Sequence, residues 1–410
     1  MSDPYFQALF ADRIGGAGYG KGTAIYKFEK IKRAKRAAVA DFPDRPLLDF
    51  GIGENDEMAD AAVREALKAE VDRAENRGYA DNGIQEYKDA AAAWLKREFG
   101  VTVDPVSEVN HCIGTKPALA MLPAAFINPG DVTLMTVPGY PVAGTHTCYY
   151  GGSVFNLPLL EENGFLPDLD SIPDGIRRRA KLLVLNYPNS PTGSLADESF
   201  FARVIAFARA NGLVVVQDAA HIMLTYGRKP LSFLAVDGAK EVGVEVHSMS
   251  KGFDMIGWRL GFVAGHERIV RAFADVKDNC DSGQFIAIQK AAVAALERPS
   301  ISVGIRTKYE RRLRKLVDTL NELGFQARMP GGSYFLYVRA PKGVEGGPSF
   351  ATAEDVSQFL IRERSICTVP WDDAGPYLRF SVTYRAPTEA DEDDLMGELK
   401  DRLDGDRFVW

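Results

Sequence analysis

A lysine flanked by hydroxyl groups stands in the most informative segment of this 410-residue chain. Ser248 and Ser250 precede Lys251, and Arg259 follows the lysine by eight residues. A lysine that attacks a carbonyl carbon must be a neutral amine, which desolvation or neighbouring cations favour. Short hydroxyl donors and the planar fork of an arginine suit a phosphate group. The combination predicts a lysine that holds pyridoxal phosphate (PLP) as an imine.

Four further residues could complete such a site. Asp218 ends an apolar segment, where a buried carboxylate needs a cationic partner such as the pyridinium nitrogen of PLP; it could instead cap the following segment. Thr115 and Lys116 precede a helical stretch, and backbone N–H groups at a helix N-terminus bind phosphate. Tyr140, in a Pro-Gly-Tyr-Pro segment, could stack on a pyridine ring or simply pack in a turn.

Strand-like and helix-like segments alternate through the middle of the chain. Five apolar, β-branched segments are predicted as strands, at residues 132–137, 181–185, 213–218, 244–248 and 260–264. Near-continuous apolar strands indicate burial on both faces, as in a mostly parallel sheet covered by helices. Ligands of such sheets bind beyond the carboxyl ends of the strands, which is where Asp218 and Ser248 stand.

The pattern changes after residue 300. A long basic helix is predicted at residues 309–323, with strands at 331–338 and 378–382, which indicates a mixed α+β segment. A helix at residues 200–211 is expected to end at Gly212. The glycine-rich residues 15–20 lack a strand–helix context, so we interpret them as a flexible arm and not as a nucleotide loop.

Composition excludes several classes of protein. Hydrophobic residues make up 46% and charged residues 26%, with a net charge of −7, which is typical of a globular protein and argues against nucleic-acid or anionic-membrane partners. Four cysteines without a CxxC pair suit a reducing compartment and predict no metal site. The first residues lack the features of a signal peptide, and no apolar run is long enough to span a membrane. We therefore expect a cytoplasmic enzyme.

Several short blocks, in this order and spacing, resemble the fold-type I PLP-dependent aminotransferases of class I and II, and most of all the LL-diaminopimelate aminotransferases. The match runs from about residue 20 to the C-terminus. Besides the lysine motif, its blocks are residues 51–54, 76–79 with 82–83, 114–120, 137–141, 186–193 and 377–381.

The resemblance implies an α/β fold in two parts. A large PLP-binding domain at residues 51–300 would contain a mainly parallel seven-stranded sheet. Residues 1–50 would form an arm and part of a small α+β domain, which residues 301–410 would complete. It also implies a homodimer with a shared active site.

The resemblance also assigns roles to individual residues. Lys251 would be the Schiff-base lysine and the base that transfers the substrate proton, Asp218 would pair with the pyridine nitrogen, and Tyr140 would stack on the ring. Arg379 would bind the substrate α-carboxylate, a bidentate task for arginine. The expected phosphate ligands are Thr115, Lys116, Ser248, Ser250, Arg259 and, from the neighbouring subunit, Tyr79.

Two more substrate-contacting residues are implied, Tyr26 and Asn279. Each of these two could instead be an ordinary surface or packing residue. The implied substrates are an L-amino acid, diaminopimelate-like or other, and a 2-oxo acid.

The chain departs from the family pattern at three positions. Ser190 stands where an asparagine normally contacts the phenolic oxygen of PLP, His221 stands where a tyrosine donates to the same oxygen, and Asn55 replaces a proline. Serine and histidine can still donate hydrogen bonds, and histidine is a possible general acid or base near neutral pH. One interpretation is therefore an aminotransferase in which both residues substitute one for one.

The alternative is a PLP- and O2-dependent oxidase of a cationic L-amino acid such as arginine, on the same scaffold. A PLP-binding regulator would need an added DNA-binding domain, for which the chain has no spare length.

Overall fold

The computed structural model describes residues 4–21 and 27–410. Within those residues the strands are β1 (Leu48–Asp49), β2 (Val109–Cys112), β3 (Val132–Val137), β4 (Ser153–Pro158), β5 (Ala180–Asn186), β6 (Val214–Asp218), β7 (Gly243–Ser248), β8 (Gly261–Gly265), β9 (Phe335–Arg339), β10 (Gly343–Val344), β11 (Ile366–Cys367), β12 (Val369–Trp371), β13 (Tyr377–Ser381) and β14 (Phe408–Val409). The helices of the same ranges are α1 (Pro4–Gln7), α2 (Lys27–Asp41), α3 (Ala61–Val71), α4 (Gln85–Phe99), α5 (Thr115–Phe126), α6 (Val142–Tyr149), α7 (Asp174–Arg177), α8 (Glu198–Asn211), α9 (Ala239–Val242), α10 (Met249–Gly252), α11 (Glu267–Lys277), α12 (Ile286–Leu296), α13 (Pro299–Glu322), α14 (Ala353–Arg364) and α15 (Glu389–Leu403).

Seven strands form the main sheet, in the order β2-β8-β7-β6-β5-β3-β4. Strands β3, β4, β5, β6 and β7 are parallel to one another, and β8 runs antiparallel to both β7 and β2. This confirms the predicted α/β fold with a mainly parallel seven-stranded sheet.

Both faces of the sheet are buried because successive residues in the middle of β5 and β6 are apolar. Leu183 and Val215 belong to one hydrophobic cluster, and their neighbours Leu182 and Val216 belong to another. Successive side chains of a strand point to opposite faces, so the helices cover the sheet on both sides.

The parallel strands bring distant polar residues to one edge. Asn186 and Asp218 end β5 and β6 and are paired across the two strands, and Ser248 ends β7. The carboxyl ends of parallel strands meet at the same edge, where such folds bind ligands. The positions singled out in the sequence therefore meet there.

Several predicted elements have different bounds. Helix α8 begins at Glu198 because Asp197 caps it, accepting a hydrogen bond from the backbone N–H of Phe200, and it ends at Gly212 with a φ of 64°. The predicted basic helix is only the second half of α13. The predicted strand at 331–338 begins at Phe335, because residues 331–334 form a turn that hydrogen-bonds to other loops. Residues 16–18, within the predicted flexible arm, form a short 3-10 helix.

Residues near the two ends of the chain contact one another. Strand β1 pairs in parallel with β11, and α2 packs against α14. Strands β12, β13 and β9 form a separate antiparallel sheet. These contacts agree with a small unit built from both ends of the chain, while the division at residues 50 and 300 stays a prediction.

Among residues 4–21 and 27–410, no helix combines the length and apolarity that a membrane crossing requires. The same ranges hold no cluster of three or more His, Cys, Asp or Glu side chains suited to a metal ion. All four cysteines are free thiols.

Candidate active site

A cavity of about 960 Å³ lies at the carboxyl edge of the main sheet. It brings together most of the residues that the sequence singled out. The predicted site residues that line it are Thr115, Lys116, Tyr140, Ser190, Asp218, His221, Ser248, Ser250, Lys251, Arg259 and Arg379.

Lys251 lies in the short helix α10, directly after β7, and its amine points into the cavity. The Nζ atom donates a hydrogen bond to the carbonyl oxygen of Gly53 at 3.0 Å and lies 5.4 Å from the centre of the Tyr334 ring. Burial, helped by the positive charges of Arg259 and Arg379, lowers the pKa of Lys251 to about 8. The neutral amine that imine formation needs is therefore accessible near neutral pH.

Asp218 presents a buried carboxylate to the same cavity. Its Oδ1 atom accepts a hydrogen bond from the backbone N–H of Ala220 at 3.0 Å, and Asn186 donates to its backbone oxygen at 2.9 Å. Burial raises the pKa of Asp218 to about 6. Because a carboxylate in such a place favours a cationic partner, the position suits a protonated ring nitrogen.

Ser248, Ser250 and Arg259 form a polar cradle in the cavity wall. Ser248 caps α10, and Arg259 lies 3.5 Å from the hydroxyl of Ser250. Gly114, with a φ of 80°, immediately precedes the N-terminus of α5, and a side chain at this position would overlap the Arg259 guanidinium. Glycine is thus required for the arginine to approach the helix N-terminus, where backbone N–H groups favour an anion.

Arg379 is a buried guanidinium with spare donors. Its Nη2 atom donates to the carbonyl oxygen of Gly51 at 3.1 Å, and its guanidinium carbon lies 4.0 Å from the centre of the Phe335 ring. Its Nε atom has no acceptor among the described residues. Burial lowers the pKa of Arg379 to about 10. An orphaned donor of this kind suits a bound carboxylate.

The two departures from the family pattern both face the cavity. The backbone N–H of Ser190 donates to Asn186 at 2.8 Å, which places the serine beside the end of β5. His221 is buried, and its Nδ1 atom lies 3.1 Å from the hydroxyl oxygen of Ser333. Tyr140 also lines the cavity and remains 42% exposed.

Asn55, the third departure, lies behind the lysine. Its amide nitrogen donates to the backbone oxygen of Lys251 at 2.9 Å and also contacts the carboxylate of Asp254. Asn55 is therefore a donor that ties the 51–57 segment to the segment of Lys251, which a proline at this position could not do.

Two predicted residues, Tyr79 and Asn279, do not line the cavity of their own chain. Tyr79 is 87% exposed, and Asn279 is exposed and donates its amide to the backbone oxygen of Asp275 at 2.9 Å. Tyr26 lies outside the described residues. The roles of all three stay predictions.

Sequence reasoning missed several residues of the cavity wall. Tyr334 donates its hydroxyl to the oxygen of Gly53 at 2.7 Å and faces the ring of His221, with 5.2 Å between the ring centres. Glu54, Trp371 and Asp373 also line the cavity. The Gly331-Gly332 pair was a signal for a tight backbone contact, but the sequence does not show which residues that contact would position.

The residues present fit PLP. One cavity is lined by the buried carboxylate of Asp218, the Lys251 amine with its lowered pKa and the Arg379 guanidinium with its unpaired Nε donor. It also contains the polar cradle, in which Arg259 can lie close to the backbone because residue 114 is glycine. When bound there, PLP would be held by Lys251 and Asp218 and by the cradle of Ser248, Ser250 and Arg259.

Comparison with known proteins identifies the family. The model for "Aminotransferase class I and II" matches residues 45–392. The chain is a member of the class I and II aminotransferases. It is 59% identical to the LL-diaminopimelate aminotransferase of Methanocaldococcus jannaschii, over 98% of both chains, and 56% identical to that of Methanococcus maripaludis, over 100% of both. Substrate-bound BacF from Bacillus subtilis is a solved structure of the same fold, with a TM-score of 0.86 and 28% identity over 98% of both chains.

These relatives are aminotransferases by name, and their identity to this chain favours aminotransferase activity over the oxidase alternative. The aminotransferase acts on an amino acid and a 2-oxo acid, and membership of the family implies PLP dependence.

Proposed function

We propose that this aminotransferase binds PLP at Lys251 and moves an amino group between LL-diaminopimelate and a 2-oxo acid. The observation that carries the proposal is the meeting of Lys251, Asp218 and Arg379 in one cavity, in a chain 59% identical to an LL-diaminopimelate aminotransferase. We further propose that it works as a homodimer in the cytoplasm, a compartment that four free thiols suit.

Each side chain has a distinct task in the proposed reaction. Arg379 binds the substrate α-carboxylate, for which its Nε atom is available. Lys251 takes the proton from the substrate Cα, as a neutral amine can. Asp218 keeps a proton on the ring nitrogen, because a buried carboxylate stabilises a neighbouring cation. PLP itself supplies an electron-accepting ring.

The cavity is large enough for a substrate with two amino-acid ends. Glu54 and Asp373 line it together with Arg379. Carboxylates on the wall can attract an ammonium group, and diaminopimelate carries a second one at its far end. This supports a substrate with a second ammonium group, such as diaminopimelate, over a small apolar amino acid.

The test is an incubation of purified, PLP-loaded enzyme with single amino acids. LL-diaminopimelate, meso-diaminopimelate and lysine would each be supplied with and without 2-oxoglutarate, while glutamate formation and O2 consumption are measured. We expect glutamate only with 2-oxoglutarate, most from LL-diaminopimelate, and no O2 consumption. Lys251→Ala is the inactive control. Oxo-acid formation that consumes O2 without 2-oxoglutarate would refute transamination. Equal rates with lysine would refute the proposal that LL-diaminopimelate is the substrate.

A further inference from the structure

Ser333 is a wholly buried serine that contacts the cavity through another residue. Its hydroxyl oxygen lies 3.1 Å from Nδ1 of His221, and His221 lines the cavity while Ser333 does not. Since Nδ1 is engaged with the serine, Nε2 is the ring nitrogen left to serve the cavity.

The backbone holds Ser333 rigidly against the segment that carries His221. The N–H of Ser333 donates to the oxygen of Leu224 at 2.8 Å, and its carbonyl oxygen accepts from the Tyr226 hydroxyl at 2.7 Å. The N–H of Leu224 in turn donates to the oxygen of His221 at 2.8 Å. A side chain at position 332 would overlap Leu224, so Gly332 allows this close approach.

The burial of Ser333 decides the direction of its hydrogen bond. A hydroxyl carries one proton, and His221 is its only hydrogen-bond partner among the described residues. If Nδ1 donated to the serine, the buried hydroxyl proton would lack an acceptor, which is unfavourable. The serine therefore donates, Nδ1 accepts, and a neutral ring carries its proton on Nε2.

The imidazole stays neutral. Burial, with the positive charges of Lys251 and Arg379, lowers the pKa of His221 to about 3. A neutral imidazole has one donor nitrogen and one acceptor nitrogen. A partner that makes Nδ1 the acceptor therefore also makes Nε2 the donor.

We propose that Ser333 is a positioning residue that holds His221 as the Nε2–H tautomer, so that the imidazole donates a hydrogen bond into the cavity toward the phenolic oxygen of PLP. A tyrosine hydroxyl needs no such partner because it always carries its proton near neutral pH, whereas a histidine must be given the right tautomer. The cofactor contact rests on the proposed function, and the tautomer does not.

The first experiment reads the tautomer directly. Nitrogen-15 NMR of the full chain, labelled in its five histidines, would be recorded with and without PLP, and a His221→Gln spectrum would assign the His221 signals. We expect Nε2 to carry the proton between about pH 5 and pH 9. The measurement without PLP does not depend on the proposed function. A failure of the tautomer proposal can therefore be distinguished from a failure of the proposed function.

Variants at position 333 test whether the Ser333 hydroxyl determines the tautomer of His221. Ser333→Ala removes the hydroxyl, and Ser333→Gly does so with a residue that tolerates the φ of 67° at this position. We expect either change to shift population toward the Nδ1–H tautomer. Ser365→Ala is the matched control, because Ser365 is also buried, has a φ of 53° and lies outside the cavity.

The visible absorbance of bound PLP measures how the tautomer of His221 affects the cofactor. A donor to the phenolic oxygen stabilises negative charge there, so its loss should raise the pH at which the visible band of bound PLP titrates, by about half a pH unit to one pH unit. Ser333→Ala should have no further effect in a His221→Phe background. A wild-type proton on Nδ1, a midpoint that Ser333→Ala leaves in place, or a shift of equal size in the His221→Phe background would each overturn the proposal.

Discussion

The amine of Lys251 donates a hydrogen bond to the carbonyl oxygen of Gly53, which lies 198 residues earlier in the chain, at 3.0 Å. The Tyr334 hydroxyl donates to the same oxygen at 2.7 Å, and Arg379 donates to Gly51 two residues away. The 51–53 segment thus holds both the lysine and the arginine of the cavity through backbone oxygens. A bound cofactor would compete with the Gly53 oxygen for the amine of Lys251.

The pH dependence of PLP capture should follow the lowered pKa of Lys251. That pKa is about 8, so the amine is mostly protonated at pH 6 and mostly neutral at pH 9, and only the neutral form attacks a carbonyl. The rate at which cofactor-free protein takes up PLP should rise with pH and level off above about pH 9. Stopped-flow absorbance measures it, with a lysine peptide as the control for titration of PLP itself. A rate that still climbs near pH 10 would contradict the lowered pKa.

Asp218→Asn should stabilise the cofactor-free protein while weakening PLP binding. Folding raises the pKa of this carboxyl from 3.8 to about 6, so the folded state binds the extra proton and loses stability as pH rises between these values. The wild type then carries a cost of at most about 3 kcal/mol at pH 8. Asparagine removes that cost and keeps an oxygen for the N–H of Ala220. Denaturant unfolding without PLP should show the variant more stable at pH 8, with the gain vanishing near pH 4.

Asp197→Asn is the matched control for that measurement. Its carboxylate caps α8, and the backbone N–H of Phe200 holds its pKa below the usual value. The stability difference between variant and wild type should therefore change with pH in the opposite direction. Asp197→Asn should lose stability relative to the wild type as pH rises. A gain at pH 8 from both variants would mean that burial of Asp218 is not the cause.

Arg379→Lys should impair substrates only through their α-carboxylate. The Nη2 atom of the guanidinium donates to Gly51, and its Nε atom is available for a ligand. The ammonium group of a lysine cannot make both contacts with the same geometry. We expect kcat/KM for an amino acid to fall about a hundredfold or more. The variant should lose little with an amine that lacks the carboxylate, measured in single turnovers. Arg339→Lys, at an exposed pair with Glu161, is the control; an equal loss for the amine would contradict the carboxylate role.

The sequence predicted the sheet and the edge where its polar residues meet, because continuous apolar strands and the polar residues at their ends are local signals. Asp218 ends β6 and Lys251 follows β7 as expected. It could not predict that Ser333 meets His221, 112 residues away, because that contact depends on backbone hydrogen bonds between loops. The predicted strand at 331–338 was wrong at its start for the same reason, since those bonds hold residues 331–334 in a turn.

Mixing two defective variants should restore activity if Tyr79 serves the partner subunit. Tyr79 is 87% exposed and does not line the cavity of its own chain. In a dimer of Lys251→Ala with Tyr79→Ala, a tyrosine acting across the interface leaves one intact site, made of the lysine of one chain and the tyrosine of the other. Equal mixing should then give about a quarter of the wild-type activity, since half the dimers are mixed and each has one working site. The assay would use limiting PLP, with each variant alone as the control. If Tyr79 served its own chain, both sites of every mixed dimer would be defective and no activity above the parent variants would appear.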